Sequence, residues 1–192
     1  MSILTKTLEL MDVLPRFYAA MELAPVDEAC ALLRRSTGIV TLGVGKSGYV
    51  ARQVASVFST AGHPAWFLHP TECGHGEGAK LRGEALLVFS ESGNTLELKD
   101  VLGDGTGVIL VTANSKPSLP YELKFLLPEL KERIPMLTPT LMLLVGDGLV
   151  DALGERSYRH PLGERGSSQS EHRAPGEPST RKFLQVVPGD KT

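Results

Sequence analysis

The chain has 192 residues, of which 42% are hydrophobic and 22% charged, a composition typical of a globular protein with one domain. Its formal net charge of −2 gives no electrostatic reason to bind nucleic acid or an anionic membrane. Two cysteines, Cys30 and Cys73, are too few for a disulfide framework. No run has the character of a signal peptide or a membrane span, so we expect a cytoplasmic protein.

Two helices are predicted at the N-terminus. Apolar residues recur at helical spacing over residues 3–14, before Pro15, and again over residues 26–33. Acidic residues open the second helix and two arginines close it, as the helix dipole favours. The first helix belongs to no repeating strand–helix unit, so it either packs on a partner subunit or covers the sheet of its own chain.

Four short apolar runs are predicted as buried strands that alternate with helical segments. The strands are predicted at residues 39–42, 65–68, 85–89 and 107–111. A helix is predicted to start near Ser47, after the first strand, and a short one at residues 96–102, after the third. Strands joined by helices imply right-handed crossovers and a parallel sheet that is covered on both faces.

The last part of the chain is predicted to be helical and then flexible. Helical spacing resumes at residues 123–130, and the apolar residues 141–153 favour another helix. From residue 163 to 181 the only apolar side chain is Ala174, which is too little to offset the entropy of ordering. We therefore predict one domain, residues 1–162, and a flexible tail, residues 163–192.

The first predicted strand ends in a glycine turn, residues 43–48, which reads Gly-Val-Gly-Lys-Ser-Gly. Strand, glycine turn and helix together aim free N–H groups at an anion. The turn spells the dinucleotide fingerprint, but the next strand ends in His69 and Pro70 rather than in an acidic residue. A P-loop would need glycine at Val40. An anion site of another kind fits better, and Lys46 is expected to face it.

The third predicted strand is followed by a hydroxyl loop, residues 90–95. Its side chains Ser90, Ser92 and Thr95 present three hydroxyl groups around a glycine. Hydroxyl and N–H donors together suit the oxygens of a phosphate. The alternative is an ordinary helix cap, which would need one hydroxyl group rather than three.

The second predicted strand is followed by a histidine loop, residues 69–77, with two imidazoles and two carboxylates. The loop has no His-x-His pair and no histidines at helical spacing, and Cys73 has no second cysteine nearby, so its residues fit acid–base chemistry better than metal binding. We predict neither a metal nor a cofactor.

These loops resemble the SIS (sugar isomerase) domain, and within that family the arabinose-5-phosphate isomerases. The glycine turn matches G-x-G-K-S-G, and the histidine loop matches H-P-x-E-A-x-H-G-D with Glu77 for the aspartate. The hydroxyl loop, continued to Glu97, matches S-x-S-G-x-[ST]-x-E, with Asn94 where many relatives carry glutamate. His160 begins a stretch that resembles the family's late H-P-G-G, although Leu162 replaces a glycine, and residues 112–119 give a fainter match.

The resemblance implies an α/β fold: a three-layer αβα sandwich of the flavodoxin-like kind, with a five-stranded parallel sheet. It also implies a homo-oligomer, usually a tetramer. Many relatives carry paired CBS domains, which we do not expect in this protein. The activity implied is the aldose–ketose interconversion of D-ribulose 5-phosphate and D-arabinose 5-phosphate, without a redox cofactor. The partner is therefore a small sugar phosphate.

The residues of the matched motifs can be given roles in such a reaction. Glu97 is our first choice for the base, Lys46 for stabilising the enediolate, and His75 or His160 for opening the sugar ring. The candidate phosphate ligands are Ser47, Ser90, Ser92 and Thr95. The candidate contacts to the rest of the substrate are Gly45, Glu72 and Asn94.

Two other functions remain open at this point. The chain could isomerise another phosphosugar, such as 3-hexulose 6-phosphate. It could also be a non-catalytic SIS module that binds a sugar phosphate and reports it to a partner protein. Asn94 favours the binding module, whereas the presence of Lys46, His75, Glu97 and His160 favours an enzyme.

Overall fold

A parallel sheet with helices packed against it organises the residues that the structure describes. The computed structural model describes residues 3–76, 78, 81, 83–128 and 136–154. These residues all fall within the unit Met1–Tyr158. The predicted tail, residues 163–192, and His160 lie outside the described residues, so the boundary at residue 162 stays a prediction.

Helices and strands alternate along the described chain, as the sequence predicts. The helices are α1 (Ile3–Glu22), α2 (Val26–Arg35), α3 (Lys46–Thr60), α4 (Pro70–Cys73), α5 (Leu96–Lys99) and α6 (Leu137–Leu153). The strands are β1 (Ile39–Gly43), β2 (Ala65–Phe67), β3 (Ala85–Phe89), β4 (Val108–Thr112) and β5 (Leu123–Leu126). The four predicted strands are confirmed to within one residue at each end, and the predicted helix at 141–153 is confirmed as the larger part of α6.

The five strands form one sheet in the order β2-β1-β3-β4-β5, and each neighbouring pair is parallel. Side chains alternate between two buried faces, as in β3, where Leu87 and Phe89 enter one core and Leu86 and Val88 the other. The first core lies under α2, α3 and α6, and the second lies under the short α4 and α5. The expected three-layer α/β fold is confirmed.

The prediction of a helix at residues 123–130 is wrong, because its first half is the strand β5. Phe125 and Leu127 are buried while Leu126 is exposed, an alternation with the period of a strand. Short apolar runs fit helix and strand spacing alike. Strand pairing favours the strand here, because the outer edge of β4 pairs with β5 from Leu123 onward.

Helix α1 continues through Pro15 to Glu22, further than the pattern before the proline predicts. Proline removes one hydrogen bond from a helix, but packing can hold the helix together on both sides of it. Val13 is buried in the first core, and Phe17 packs against the same core one turn later. One face of α1 therefore covers its own domain, while Tyr18 on another face is 55% exposed. Packing of that exposed face on a partner subunit stays a prediction.

Candidate functional site

The carboxyl ends of β1 and β3 lie side by side at the point where the strand order reverses. From β1 the chain adds β2 on one side and β3 on the other. Gly43 and Phe89, the last residues of β1 and β3, are partners in the sheet register. The glycine turn and the hydroxyl loop therefore leave the sheet as neighbours. In open α/β sheets, ligands bind at such a switch point.

The histidine loop lies on the other side of the glycine turn. It follows β2, which pairs with β1 through Thr41 and Phe67. The Leu68 N–H also donates to the Thr41 carbonyl over 3.1 Å, which continues the pairing beyond the strand. All three loops therefore start at the same edge of the sheet, as the sequence predicts.

The glycine turn brings the end of β1 very close to the start of α3. A Cβ atom on Gly43 would lie 2.6 Å from the Ser47 carbonyl oxygen, so no side chain fits there. Gly45 has φ 60°, a conformation that L side chains rarely adopt. Lys46 is exposed at the first position of α3, and Ser47 is half-buried beside Met142 of α6. The turn thus exposes its backbone and the N-terminus of a 15-residue helix.

The hydroxyl loop is closed by hydrogen bonds among its own side chains and backbone. Ser90 is only 2% exposed, and its Oγ lies 2.8 Å from Oγ1 of Thr95. The Gly93 N–H donates to Ser90 Oγ, and the Asn94 N–H donates to Ser92 Oγ. Thr95 directly precedes α5 but makes no side-chain capping bond to that helix. The arrangement is therefore different from an ordinary helix cap.

A further segment contacts the hydroxyl loop from the side opposite the glycine turn. The sequence predicts it only as a faint motif. This clamp segment, residues 112–119, follows β4, the neighbour of β3. Three consecutive carbonyl oxygens of the hydroxyl loop, those of Glu91, Ser92 and Gly93, accept hydrogen bonds from it. The signal in the sequence was the run of polar residues after the fourth strand, but it does not reveal which loop that run contacts.

The histidine loop contains α4 and presents two of its polar side chains to solvent. His69 precedes α4, its Nδ1 lies 2.8 Å from Thr71 Oγ1, and its ring meets Phe67 edge to face. His69 therefore fixes the start of this loop. Glu72 and His75 are exposed, and the His75 N–H donates to the Glu72 carbonyl.

Glu97 lies in a cleft between α4 and α5. The cleft has a volume of about 500 Å³. Thr71 and Cys73 line it from the histidine loop, and Glu97 and Asp100 line it from the side of α5. The structure thus brings Glu97 together with the histidine loop. His160 lies outside the described residues, so its place relative to this cleft stays a prediction.

Neither a metal cluster nor a bilayer-crossing helix occurs in the part of the chain that the structure describes. Three or more His, Cys, Asp or Glu side chains nowhere gather closely enough there to hold a metal ion. None of the described helices combines the length and the hydrophobicity that a membrane span requires.

Comparison with known proteins shows that the chain is similar to sugar-phosphate isomerases. The chain is 31% identical over 160 residues to the arabinose 5-phosphate isomerase KdsD of Pseudomonas aeruginosa. This match covers 72% of this chain and 49% of that protein. The chain spans about half the length of the curated relatives that it matches. No family model matches it.

Matches to solved structures cover a larger share of the matched protein than the match to KdsD does. A phosphosugar isomerase assigned to capsule formation in Bacteroides fragilis is 26% identical with a TM-score of 0.64, and the match covers 79% of this chain and 90% of that one. A protein of E. coli CFT073, solved in complex with a sugar phosphate, is 26% identical with a TM-score of 0.61, and the match covers 80% of this chain and 92% of that one. The chain therefore shares the fold of these proteins.

Proposed function

The chain belongs to the SIS (sugar isomerase) domain family as a homologue of the arabinose 5-phosphate isomerases, and on this premise we propose that it is an aldose–ketose isomerase of sugar phosphates. The proposed reaction interconverts D-ribulose 5-phosphate and D-arabinose 5-phosphate. The observation that carries the proposal is the meeting of the glycine turn and the hydroxyl loop at the switch between β1 and β3.

The hydroxyl loop is the proposed phosphate site. Its Ser90, Ser92 and Thr95 offer hydroxyl donors, and Ser47 lies in the first turn of α3, whose N-terminus favours an anion. Lys46 adds a positive charge next to that N-terminus. Charge-assisted hydrogen bonds to a phosphate are roughly twice as strong as neutral ones. This supports a phosphorylated ligand over a neutral sugar.

The proposed chemistry moves one proton and needs no oxidant. A base removes the proton from the carbon beside the carbonyl, and the C–H electrons form the double bond of a cis-enediol while the carbonyl oxygen takes up a proton. A proton then returns to the former carbonyl carbon, and the hydroxyl group on the carbon that was first deprotonated loses its proton, so that this carbon becomes the new carbonyl. Substrate and product have the same formula, so the atoms and electrons balance.

We assign the proton transfer to Glu97 and the opening of the sugar ring to His75 or His160. Glu97 shares its cleft with the start of the histidine loop, which supports a common side of the crevice for the proposed acid–base groups. We assign to Lys46 the stabilisation of the negative charge on the enediolate oxygen. A well-placed acid–base group contributes about 10²–10⁴-fold to a rate. Gly45, Glu72 and Asn94 are proposed to contact the rest of the sugar.

The test is an isotope exchange followed by NMR. The purified protein is incubated with D-ribulose 5-phosphate in D₂O, and deuterium entry beside the carbonyl and formation of D-arabinose 5-phosphate are recorded. We expect both signals. Exchange without arabinose 5-phosphate would redirect the assignment to another phosphosugar, such as 3-hexulose 6-phosphate. Thermal stabilisation by the sugar phosphate without any exchange would instead identify a non-catalytic binding module.

A pair of substitutions in the same cleft tests the proposed base. Glu97→Gln keeps the size of the side chain but removes the carboxylate, so we expect exchange to fall by about 10²–10⁴-fold with an unchanged unfolding transition. Asp100→Asn makes the same chemical change three residues later on the same cleft and serves as the control. Near-normal exchange by Glu97→Gln would remove Glu97 from the mechanism.

We further propose that the chain works in the cytoplasm as a homo-oligomer, with a tetramer expected from the family resemblance. The exposed side chains Met11 and Tyr18 of α1 give this helix apolar surface beyond the face that packs on its own core. Light scattering coupled to size exclusion measures the assembled mass directly. A monomer at the concentration of the activity assay would contradict the proposal.

A further inference from the structure

We propose that the clamp segment, and Asn114 above all, positions the hydroxyl loop for phosphate by binding the loop's carbonyl oxygens. Asn114 is a positioning residue in this view, since it acts on the phosphate through the loop. The inference rests on the proposed phosphate site and adds to it the reason why that loop accepts an anion.

Two of the three bound carbonyl groups accept from side chains of the clamp segment, and one of these also accepts from a main-chain N–H. The Glu91 carbonyl accepts from Thr112 Oγ1 over 3.1 Å and from the Ala113 N–H over 3.1 Å. The Ser92 carbonyl accepts from Asn114 Nδ2 over 2.7 Å. The shortest of these contacts therefore comes from Asn114.

The third carbonyl group is bound by the main chain of the clamp segment. The Gly93 oxygen accepts from the N–H groups of Ser118 and Leu119 over 3.1 and 3.0 Å. The Ser118 N–H also donates to Asn94 Oδ1 over 2.8 Å. A Cβ atom on Gly93 would lie 2.4 Å from Cβ of Pro117, so the two segments pack too closely there for any side chain. The loop is thus held against the clamp segment over several consecutive residues.

This contact matters for an anion because carbonyl oxygens repel it and N–H groups attract it. In a trans peptide the carbonyl of one residue and the N–H of the next point in opposite directions. Turning the three carbonyl groups toward the clamp segment therefore turns the N–H groups of Ser92, Gly93 and Asn94 away from it. The last two donate to Ser90 Oγ and Ser92 Oγ, and the Gly93 N–H also donates to the Ser90 carbonyl oxygen. These N–H groups thus hold the serine hydroxyl groups in place, while the three carbonyl groups that would repel an anion face the clamp segment.

The orientation of the Asn114 side chain is itself fixed. Its Oδ1 accepts from the Lys116 N–H over 2.9 Å, and the main-chain N–H of Asn114 donates to Thr112 Oγ1 over 3.1 Å. With the oxygen held in this way, the NH₂ group is directed at the Ser92 carbonyl. An aspartate at this position would keep the first bond and lose the last, which separates the two roles of the side chain.

The experiment compares three variants by calorimetric titration with D-arabinose 5-phosphate and with inorganic phosphate. Asn114→Asp keeps the acceptor for Lys116 and puts a negative oxygen against the Ser92 carbonyl. Asn114→Ala removes both bonds, and Ser115→Ala is the control, because the contact at this exposed neighbour uses its main-chain oxygen. We expect about tenfold weaker binding of both ligands in the first two variants, which corresponds to about 1.4 kcal/mol of binding free energy.

Amide hydrogen exchange supplies a readout of the loop itself, without ligand. In Asn114→Asp we expect faster exchange at the N–H groups of Gly93 and Asn94, with exchange in β3 unchanged. A general loss of stability would instead raise exchange throughout the sheet. If Asn114→Asp does not fold, Thr112→Val removes both the donor to the Glu91 carbonyl and the acceptor for the main-chain N–H of Asn114. We expect it to act in the same direction with a smaller effect.

The outcomes separate this inference from the proposed function. Unchanged affinity in Asn114→Asp overturns the inference and leaves the phosphate site standing. Weaker binding in Asn114→Ala alone also overturns it, since Asn114 then only stabilises its own turn. If the unaltered chain binds neither ligand, the proposed function fails, and the positioning role fails with it.

Discussion

Two glycines of α6 have opposite surroundings and predict opposite effects for the same substitution. A Cβ atom on Gly146 would lie 2.4 Å from Cγ2 of Val54, a buried residue of α3. A Cβ atom on Gly148 would meet nothing within 4 Å. Alanine should therefore clash at the first position and fit freely at the second. Because α3 begins at the glycine turn, the contact also affects where that turn lies.

Both variants gain stability from the helix propensity of alanine, and only Gly146→Ala also loses stability by overpacking the core. Replacing glycine by alanine inside a helix stabilises it by roughly 0.5–1 kcal/mol, and Gly148→Ala should show this gain alone. Gly146→Ala has the same gain but also overpacks the core, which costs about 1–3 kcal/mol. The difference in unfolding free energy between the two variants is then about 1–3 kcal/mol, because the helix gain cancels.

Urea unfolding followed by circular dichroism measures this difference, with equal m-values as the check that only stability has changed. Combining Gly146→Ala with Val54→Ala should cost less than the sum of the single changes, because the smaller side chain makes room for the new methyl group. If Gly146→Ala were as stable as Gly148→Ala, α3 and α6 would not be packed as closely as the structure shows.

Three further predictions concern the site and its surroundings. Lys46→Met should lower the rate of exchange by about 10²–10³-fold, as loss of one donor to a developing negative oxygen does, whereas Lys99→Met, at the last residue of α5, should not. Gly43→Ala forces a Cβ atom against the Ser47 carbonyl, so unfolding in urea should become easier and the affinity for D-arabinose 5-phosphate should fall. Burial raises the pKa of the Cys30 thiol, so a chromogenic disulfide reagent in a mildly alkaline buffer should modify the half-exposed Cys73 first and Cys30 only after unfolding. Equal rates for the two thiols would contradict that burial.

The central strands could be predicted from the sequence because each is a short apolar run with a turn signal at its end. β3 was predicted with both ends correct, since both faces of a central parallel strand are buried and the run has no polar interruption. β5 could not be predicted, because Lys124 interrupts its run and the pairing with β4 supplies what the pattern lacks. β5 therefore depends more on its neighbour than on its own sequence.

The candidate site was predictable loop by loop but not as an assembly. The hydroxyl groups of Ser90, Ser92 and Thr95 stand next to each other in the chain, so their chemistry is visible in the sequence. Asn94 was predicted as a substrate contact, and that stays a prediction, but its side-chain oxygen also accepts a hydrogen bond from Ser118. The two residues belong to different loops, and no local pattern joins them.

The order of the strands explains both the success and the failure. A parallel sheet places all carboxyl ends at one edge, so any polar loop after a strand is a candidate from sequence alone. Which loops touch depends on the order β2-β1-β3-β4, which is set by crossovers rather than by the residues of any one strand. That order puts the glycine turn on one side of the hydroxyl loop and the clamp segment on the other. A loop that must keep its carbonyl groups away from an anion needs such a neighbour, and β4 is the strand that can provide it.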